Sequence, residues 1–200
     1  MRRTLWNIPN LLTLIRIICI PVLMVVAYSG WSQRFIASAV LFLLASATDW
    51  LDGYLARKLQ QTSAFGRFLD PVADKLMVAA ALIILVDWHH SIWMVVPAVV
   101  IIAREITISA LREWMAELGK RASVAVSYIG KLKTTAQMLA IGLMLAQAPV
   151  HDVRGGLIVN ALQVVAYLLL YVAVFLTIWS MLLYLQAAWP DLRNTDHWSE

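Results

Sequence analysis

Six runs of predominantly apolar residues divide this chain, at roughly 11–29, 34–55, 71–87, 92–111, 133–150 and 157–188. A helix of about 20 apolar residues crosses the hydrocarbon core of a bilayer, so runs of this length favour lipid over water as the solvent. A segment in that core must pair its own backbone donors and acceptors, which a helix does internally. The predicted fold is therefore all-α, a polytopic membrane protein with six transmembrane helices. Composition agrees: 62% of residues are hydrophobic and 14% charged, far from the balance of a water-soluble domain. The last run is too long for one upright span and too short for two spans with a turn. It predicts a tilted helix or one that continues into water.

The runs leave no room for a separate cofactor domain, so residues 1–200 read as one membrane domain. Trp6, Trp31, Trp88, Trp93 and Trp189 lie near run ends, where an amphipathic ring suits the membrane boundary. The opening Trp6-Asn7-Ile8-Pro9-Asn10 mixes polar and apolar residues and predicts a short interfacial helix over 1–10. The first run follows Arg2 and Arg3 without a small-residue cleavage pattern, which reads as a retained span. Cys19 is the sole cysteine, so no intramolecular disulfide staples the fold. A net charge of +4 suits nucleic-acid binders and membrane proteins alike; the apolar content assigns this chain to the membrane, with no nucleic-acid partner.

Charge also orients the spans, because cytoplasmic segments collect Lys and Arg. The connections 30–33, 88–91 and 151–156 contain only Arg154. The opposite side receives Arg2, Arg3, Arg57, Lys58, Arg67, Lys120, Arg121, Lys131, Lys133 and Arg193. Both termini are predicted cytoplasmic.

An acidic constellation begins at the cytoplasmic end of the second run: Asp49, Asp52, Gly53, Ala56 and Arg57, followed by Gly66, Asp70 and Asp74. In helices, Asp49, Asp52, Gly53 and Ala56 share one face, as do Gly66, Asp70 and Asp74. Four carboxylates crowded at a bilayer edge repel one another and need protons, basic partners or cations. Oxygen-only ligands suit Mg²⁺ or Mn²⁺, and two such ions about 4 Å apart clamp a pyrophosphate for in-line displacement. Gly53, Gly66 and Ala56 leave room for a ligand or equally for a packed helix. Arg57 can fork onto a phosphate.

Asp-x2-Asp-Gly-x2-Ala-Arg-x8-Gly-x3-Asp-x3-Asp over 49–74 resembles the signature of the CDP-alcohol phosphotransferase family at every position. The resemblance implies that Asp49, Asp52, Asp70 and Asp74 hold two metal ions. It also makes Asp74 the base that takes the acceptor proton. It places Gly53, Ala56, Arg57, Ser63 and Gly66, with Asn10 and Thr13 from the amino-terminal element, around CDP-diacylglycerol. It further implies a bacterial cytoplasmic (inner) membrane location with the site on the cytoplasmic side.

The acceptor depends on other residues. The stretches Arg104–Glu113 and Gly130–Thr134 resemble those of the family's glycerol-phosphate-using members, which implies glycerol 3-phosphate held by Arg104, Arg112, Lys131 and Lys133. Lys131 and Lys133 also fit a purely topological role. Arg104 stands within an apolar run and needs an internal partner, whether Glu105, an aspartate of the site or a substrate phosphate. An inositol phosphate or serine as acceptor stays open, as does a divalent-cation channel or transporter. His89, His90, His151 and His197 read as interfacial residues, and Met138 and Met144 as packing. Membrane lipids surround the chain, and Gly142 and Ala146, four residues apart, permit a homodimer.

Overall fold

The computed structural model describes residues 8–58, 64–117, 128–147, 150–151, 157–158 and 160–193, with the side chains of 8–9, 49–57, 64–65, 67, 128–131, 150–151, 157–158 and 191–192 outside that description. Six helices follow the six apolar runs: α1 (Ile8–Ala27), α2 (Arg34–Lys58), α3 (Ala64–His89), α4 (Ile92–Glu117), α5 (Tyr128–Leu145) and α6 (Ala161–Arg193). Between α5 and α6, β1 (Val150–His151) pairs antiparallel with β2 (Leu157–Ile158). This pairing takes residues 157–158 out of the predicted sixth run. The run's helix instead starts behind Asn160, whose Oδ1 accepts from Gln163 N at 2.8 Å while Gln163 Oε1 accepts from Asn160 N at 3.1 Å. That reciprocal pair is a capping box, and it satisfies donors that a helix start leaves orphaned. Of the predicted interfacial segment, residues 1–7 lie outside the described residues, and Ile8, Pro9 and Asn10 form the first turn of α1.

The helices pack in a closed circuit. α1 lies against α2 and α3, α3 against α4, α4 against α6, α6 against α5, and α5 against α2. Leu23, Phe42, Met77, Leu85, Ile101, Ile141 and Leu170 are buried at its centre. Buried alanines such as Ala39, Ala81, Ala140 and Ala166 let neighbouring backbones approach closely. Gly142 does the same: a Cβ there would meet Leu43 Cδ2 of α2 at 2.9 Å. The small residue read from the sequence as permitting self-association is thus used within the chain, between α2 and α5.

The outside of the bundle is apolar and part of its inside is polar. Ile18, Val25, Leu44, Ile83, Val99, Leu168 and Phe175 are exposed, while Asn10, Thr13, Arg16, Arg104, Lys133, Gln137, Thr177 and Ser180 are buried. Water would penalise that distribution, whereas lipid favours it because intramembrane polar groups turn inward to find partners. Among the described residues, three helical segments, Asn10–Ala27, Ile92–Glu117 and Ala161–Pro190, are long and apolar enough to cross a bilayer, and Arg34–Thr48 and Leu132–Leu145 form shorter apolar stretches. α3 carries Asp70, Asp74, Lys75 and Asp87, which dilute its apolar character.

Successive helices alternate in direction, so the starts of α1, α3 and α5 meet the ends of α2, α4 and α6 at one end of the bundle. At the other end Tyr28 donates to Asp87 Oδ2 at 2.9 Å, tying α1 to α3. His89, expected as an interfacial residue of the 88–91 connection, is instead the last residue of α3 and is buried, with Nδ1 3.0 Å from Leu85 O.

Candidate active site

A cavity of about 660 Å³ opens where the starts of α1, α3 and α5 meet the second half of α4. Asp70 and Asp74 line it from α3, Arg16 from α1, Arg104, Glu105 and Arg112 from α4, and Lys133 from α5. The four-residue spacing of Asp70 and Asp74 puts both on one face of α3. Gly66, one turn earlier, is buried.

Both carboxylates are held from α1. Thr13 Oγ1 donates to Asp70 Oδ1 at 2.6 Å, and Arg16 Nη1 donates to Asp74 Oδ1 at 2.5 Å. Asn10, Thr13 and Arg16 are all buried and recur every three residues, so they form a polar stripe on an otherwise apolar helix. Asn10 and Thr13 are expected beside the nucleotide, whereas Arg16 is not among the residues expected at the site. The signal was present: Arg16 is the sole charged residue of α1, and an isolated intramembrane cation demands a partner.

Facing the acids is a cluster of cations. Glu105 Oε1 accepts from Lys133 Nζ at 2.5 Å and from Arg104 Nη1 at 3.1 Å. Arg104 Nη2 also donates to Ser180 Oγ of α6 at 2.9 Å, and Ser180 donates onward to Thr177 O at 3.0 Å. Arg112 Nη2 donates to the Tyr184 hydroxyl at 2.7 Å, and its guanidinium lies over the Tyr184 ring at 5.1 Å. Ser180 and Tyr184 sit one turn apart on α6 and orient two arginines of α4. Arg104 therefore has its internal partners, Glu105 and Ser180, without an aspartate of the site.

The structure thus brings Asp70, Asp74, Arg104, Arg112 and Lys133 to one cavity. Asp49, Asp52, Gly53, Ala56 and Arg57 belong to the last turns of α2 and Lys131 to the first turn of α5, with their side chains outside those described. Ser63 lies outside the described residues altogether. Among the described residues no three carboxylate, imidazole or thiol groups converge. The donor chemistry nevertheless fits a hard divalent cation, because Asp70 and Asp74 offer only oxygen and no histidine or cysteine lines the cavity among the described residues.

These features define a helical membrane protein that sets paired carboxylates opposite clustered cations in one chamber at an end of its bundle. The chain belongs to the CDP-alcohol phosphatidyltransferase family, whose sequence model matches residues 6–179. It is 51% identical over 189 residues to the CDP-diacylglycerol–glycerol-3-phosphate 3-phosphatidyltransferase of Haemophilus influenzae, covering 94% of this chain and 97% of that protein. The protein of the same name from Salmonella choleraesuis is 52% identical over 189 residues, covering 94% and 98%. That from Yersinia pestis is 50% identical over 187 residues, covering 93% and 97%.

Proposed function

We propose that this chain transfers the phosphatidyl group of CDP-diacylglycerol to glycerol 3-phosphate, giving phosphatidylglycerophosphate and CMP. The observation that carries this reading is the cavity in which Asp70 and Asp74 face Arg104, Arg112 and Lys133. One wall suits a donor pyrophosphate with its cations, the other an anionic acceptor. Relatives about half identical over nearly their whole length bear the name of this activity.

Asp49, Asp52, Asp70 and Asp74 hold the divalent ions in this proposal, two of Mg²⁺ or Mn²⁺. Bound there, the ions offset the negative charge of the pyrophosphate and of the departing CMP. Asn10, Thr13, Gly53, Ala56, Arg57, Ser63 and Gly66 surround CDP-diacylglycerol. Arg112, Lys131 and Lys133 bind the acceptor phosphate, with Arg104 holding α4 against α6. Asp74 takes the proton of the acceptor 1-hydroxyl. That oxygen forms a bond to the phosphorus carrying diacylglycerol as the bond to the CMP oxygen breaks. Thr13 contributes by orienting Asp70, in line with their 2.6 Å hydrogen bond.

The whole chain acts as one domain with six spans in the bacterial cytoplasmic membrane, with both termini and the site on the cytoplasmic face. The clustering of Arg112, Lys133 and Lys58 at the cavity end of the bundle supports that orientation. A homodimer is proposed on the family resemblance alone; light scattering of the detergent-solubilised protein measures it. The decisive assay for function offers purified protein labelled CDP-diacylglycerol with glycerol 3-phosphate, inositol phosphate or serine. CMP release with glycerol 3-phosphate is the expected result, and release with another acceptor in its place rejects the reading. Metal flux into liposomes without CMP release would point to a channel instead.

A further inference from the structure

We propose that Arg16 is a positioning residue: its buried guanidinium fixes the Asp74 carboxylate in the orientation that meets the acceptor hydroxyl. The proposal rests on the reading of Asp74 as the proton acceptor. Arg16 has 1% of its side chain exposed and Asp74 has 39%. The guanidinium therefore lies behind the carboxylate, engaging Oδ1 while the acid stays open toward the cavity. A cation in the only charged position of α1 is costly in an apolar helix. A hydrophobic residue would pack there at less cost unless the charge served a neighbour.

The register of α1 on α3 supports positioning over simple neutralisation. Thr13 and Arg16 are separated by three residues, Asp70 and Asp74 by four, and the two hydrogen bonds form parallel rungs between the helices. One rung alone would let α3 roll about its axis. Two rungs, one turn apart, fix both its rotation and its height, because a slip of one residue moves a side chain about 100° around the helix and about 1.5 Å along it. Arginine suits the second rung because its planar fork sets direction as well as charge, which the flexible ammonium of lysine does not.

The test compares full-length R16K, R16M, D74N and the R16M/D74N double variant in detergent. Melting temperature, kcat and both KM values are measured. R16M is expected to lower kcat about 100-fold, the scale on which a misplacement of about 1 Å acts on a reacting group. Both KM values stay within about threefold of the parent, since transition-state rather than ground-state contact is lost. R16K is expected to restore the melting temperature through its charge yet leave kcat at least about tenfold low, because the fork is missing. The double variant is expected to turn over no more slowly than D74N. Full kcat in R16K assigns Arg16 to neutralisation and overturns the proposal. A higher KM for CDP-diacylglycerol at unchanged kcat makes Arg16 a substrate contact and overturns it equally. If R16M does not fold, R16K decides alone. Retained turnover in D74N instead refutes the underlying role of Asp74, which a parent-like R16K beside an inactive D74N would leave intact.

Discussion

Lys133 of α5 and Arg104 of α4 share one carboxylate oxygen, Glu105 Oε1, at 2.5 Å and 3.1 Å. Two cations on one acceptor leave a surplus of positive charge facing the cavity. The same carboxylate keeps α5 beside α4, although these helices meet mainly through their other neighbours. Replacing Glu105 with Gln keeps the shape and removes the charge that both cations need. A loss of about 1–3 kcal/mol in stability is expected, the cost of leaving buried charged donors poorly paired. Thermal melting in detergent measures it, and a variant as stable as the parent contradicts the bridging role.

Asp74→Asn removes nearly all turnover, because an amide neither accepts the acceptor proton nor matches a carboxylate as a ligand for a hard cation. Exhaustive chelation of divalent metal from the parent protein has the same effect, reversed by adding Mg²⁺ or Mn²⁺. CMP release that persists after chelation excludes a metal-dependent reaction.

Neutralising Arg112, Lys131 or Lys133 raises KM for glycerol 3-phosphate more than KM for CDP-diacylglycerol. One charge-assisted hydrogen bond corresponds to a loss of about 1.5–3 kcal/mol in kcat/KM. Lys131→Met keeps the stem and deletes the charge. Tyr184→Phe tests the same wall indirectly, since it removes the hydroxyl that Arg112 grips at 2.7 Å. Parent-like acceptor kinetics in every one of these variants would confine the charges to membrane orientation.

A cysteine placed at exposed position 58 in a Cys19-free background reacts from the cytoplasmic side, and one at position 90 reacts from outside. The connection at 88–91 lacks Lys and Arg, whereas Lys58 and Lys133 lie at the opposite end of the bundle. Reaction of position 90 from the cytoplasm alone would reverse the orientation.

The helices were legible in the sequence because each coincides with an apolar run, although among the described residues only three are long and apolar enough to cross a bilayer. Every predicted run overlaps one helix, and the errors fall at the ends: α3 starts at Ala64 rather than 71, α4 continues to Glu117 rather than 111, α5 spans Tyr128–Leu145 rather than 133–150, and the Asn160–Gln163 cap delays α6. Arg104, Arg112 and Lys133 were legible as candidates because charge in an apolar context is conspicuous. Their partners were not, since Ser180 and Tyr184 stand 76 and 72 residues away in sequence and look like ordinary members of an apolar helix. Arg16 escaped although the argument that flagged Arg104 applies to it unchanged. The family signature points to Asp74, but only the packing of α1 on α3 pairs that carboxylate with the Arg16 guanidinium.

The grip of α6 on Arg104 and Arg112 has a consequence for how the protein is made. α6 follows the other described helices in the chain, so the ribosome delivers α4 well before Ser180 and Tyr184 exist. At about 5–20 residues per second, 72 to 76 residues correspond to a wait of roughly 4 to 15 s. Throughout that interval the two arginines lack these α6 partners, and lipid is a poor substitute. A nascent chain stalled before residue 161 is therefore a natural client for the insertion machinery to retain and for membrane proteases to clear.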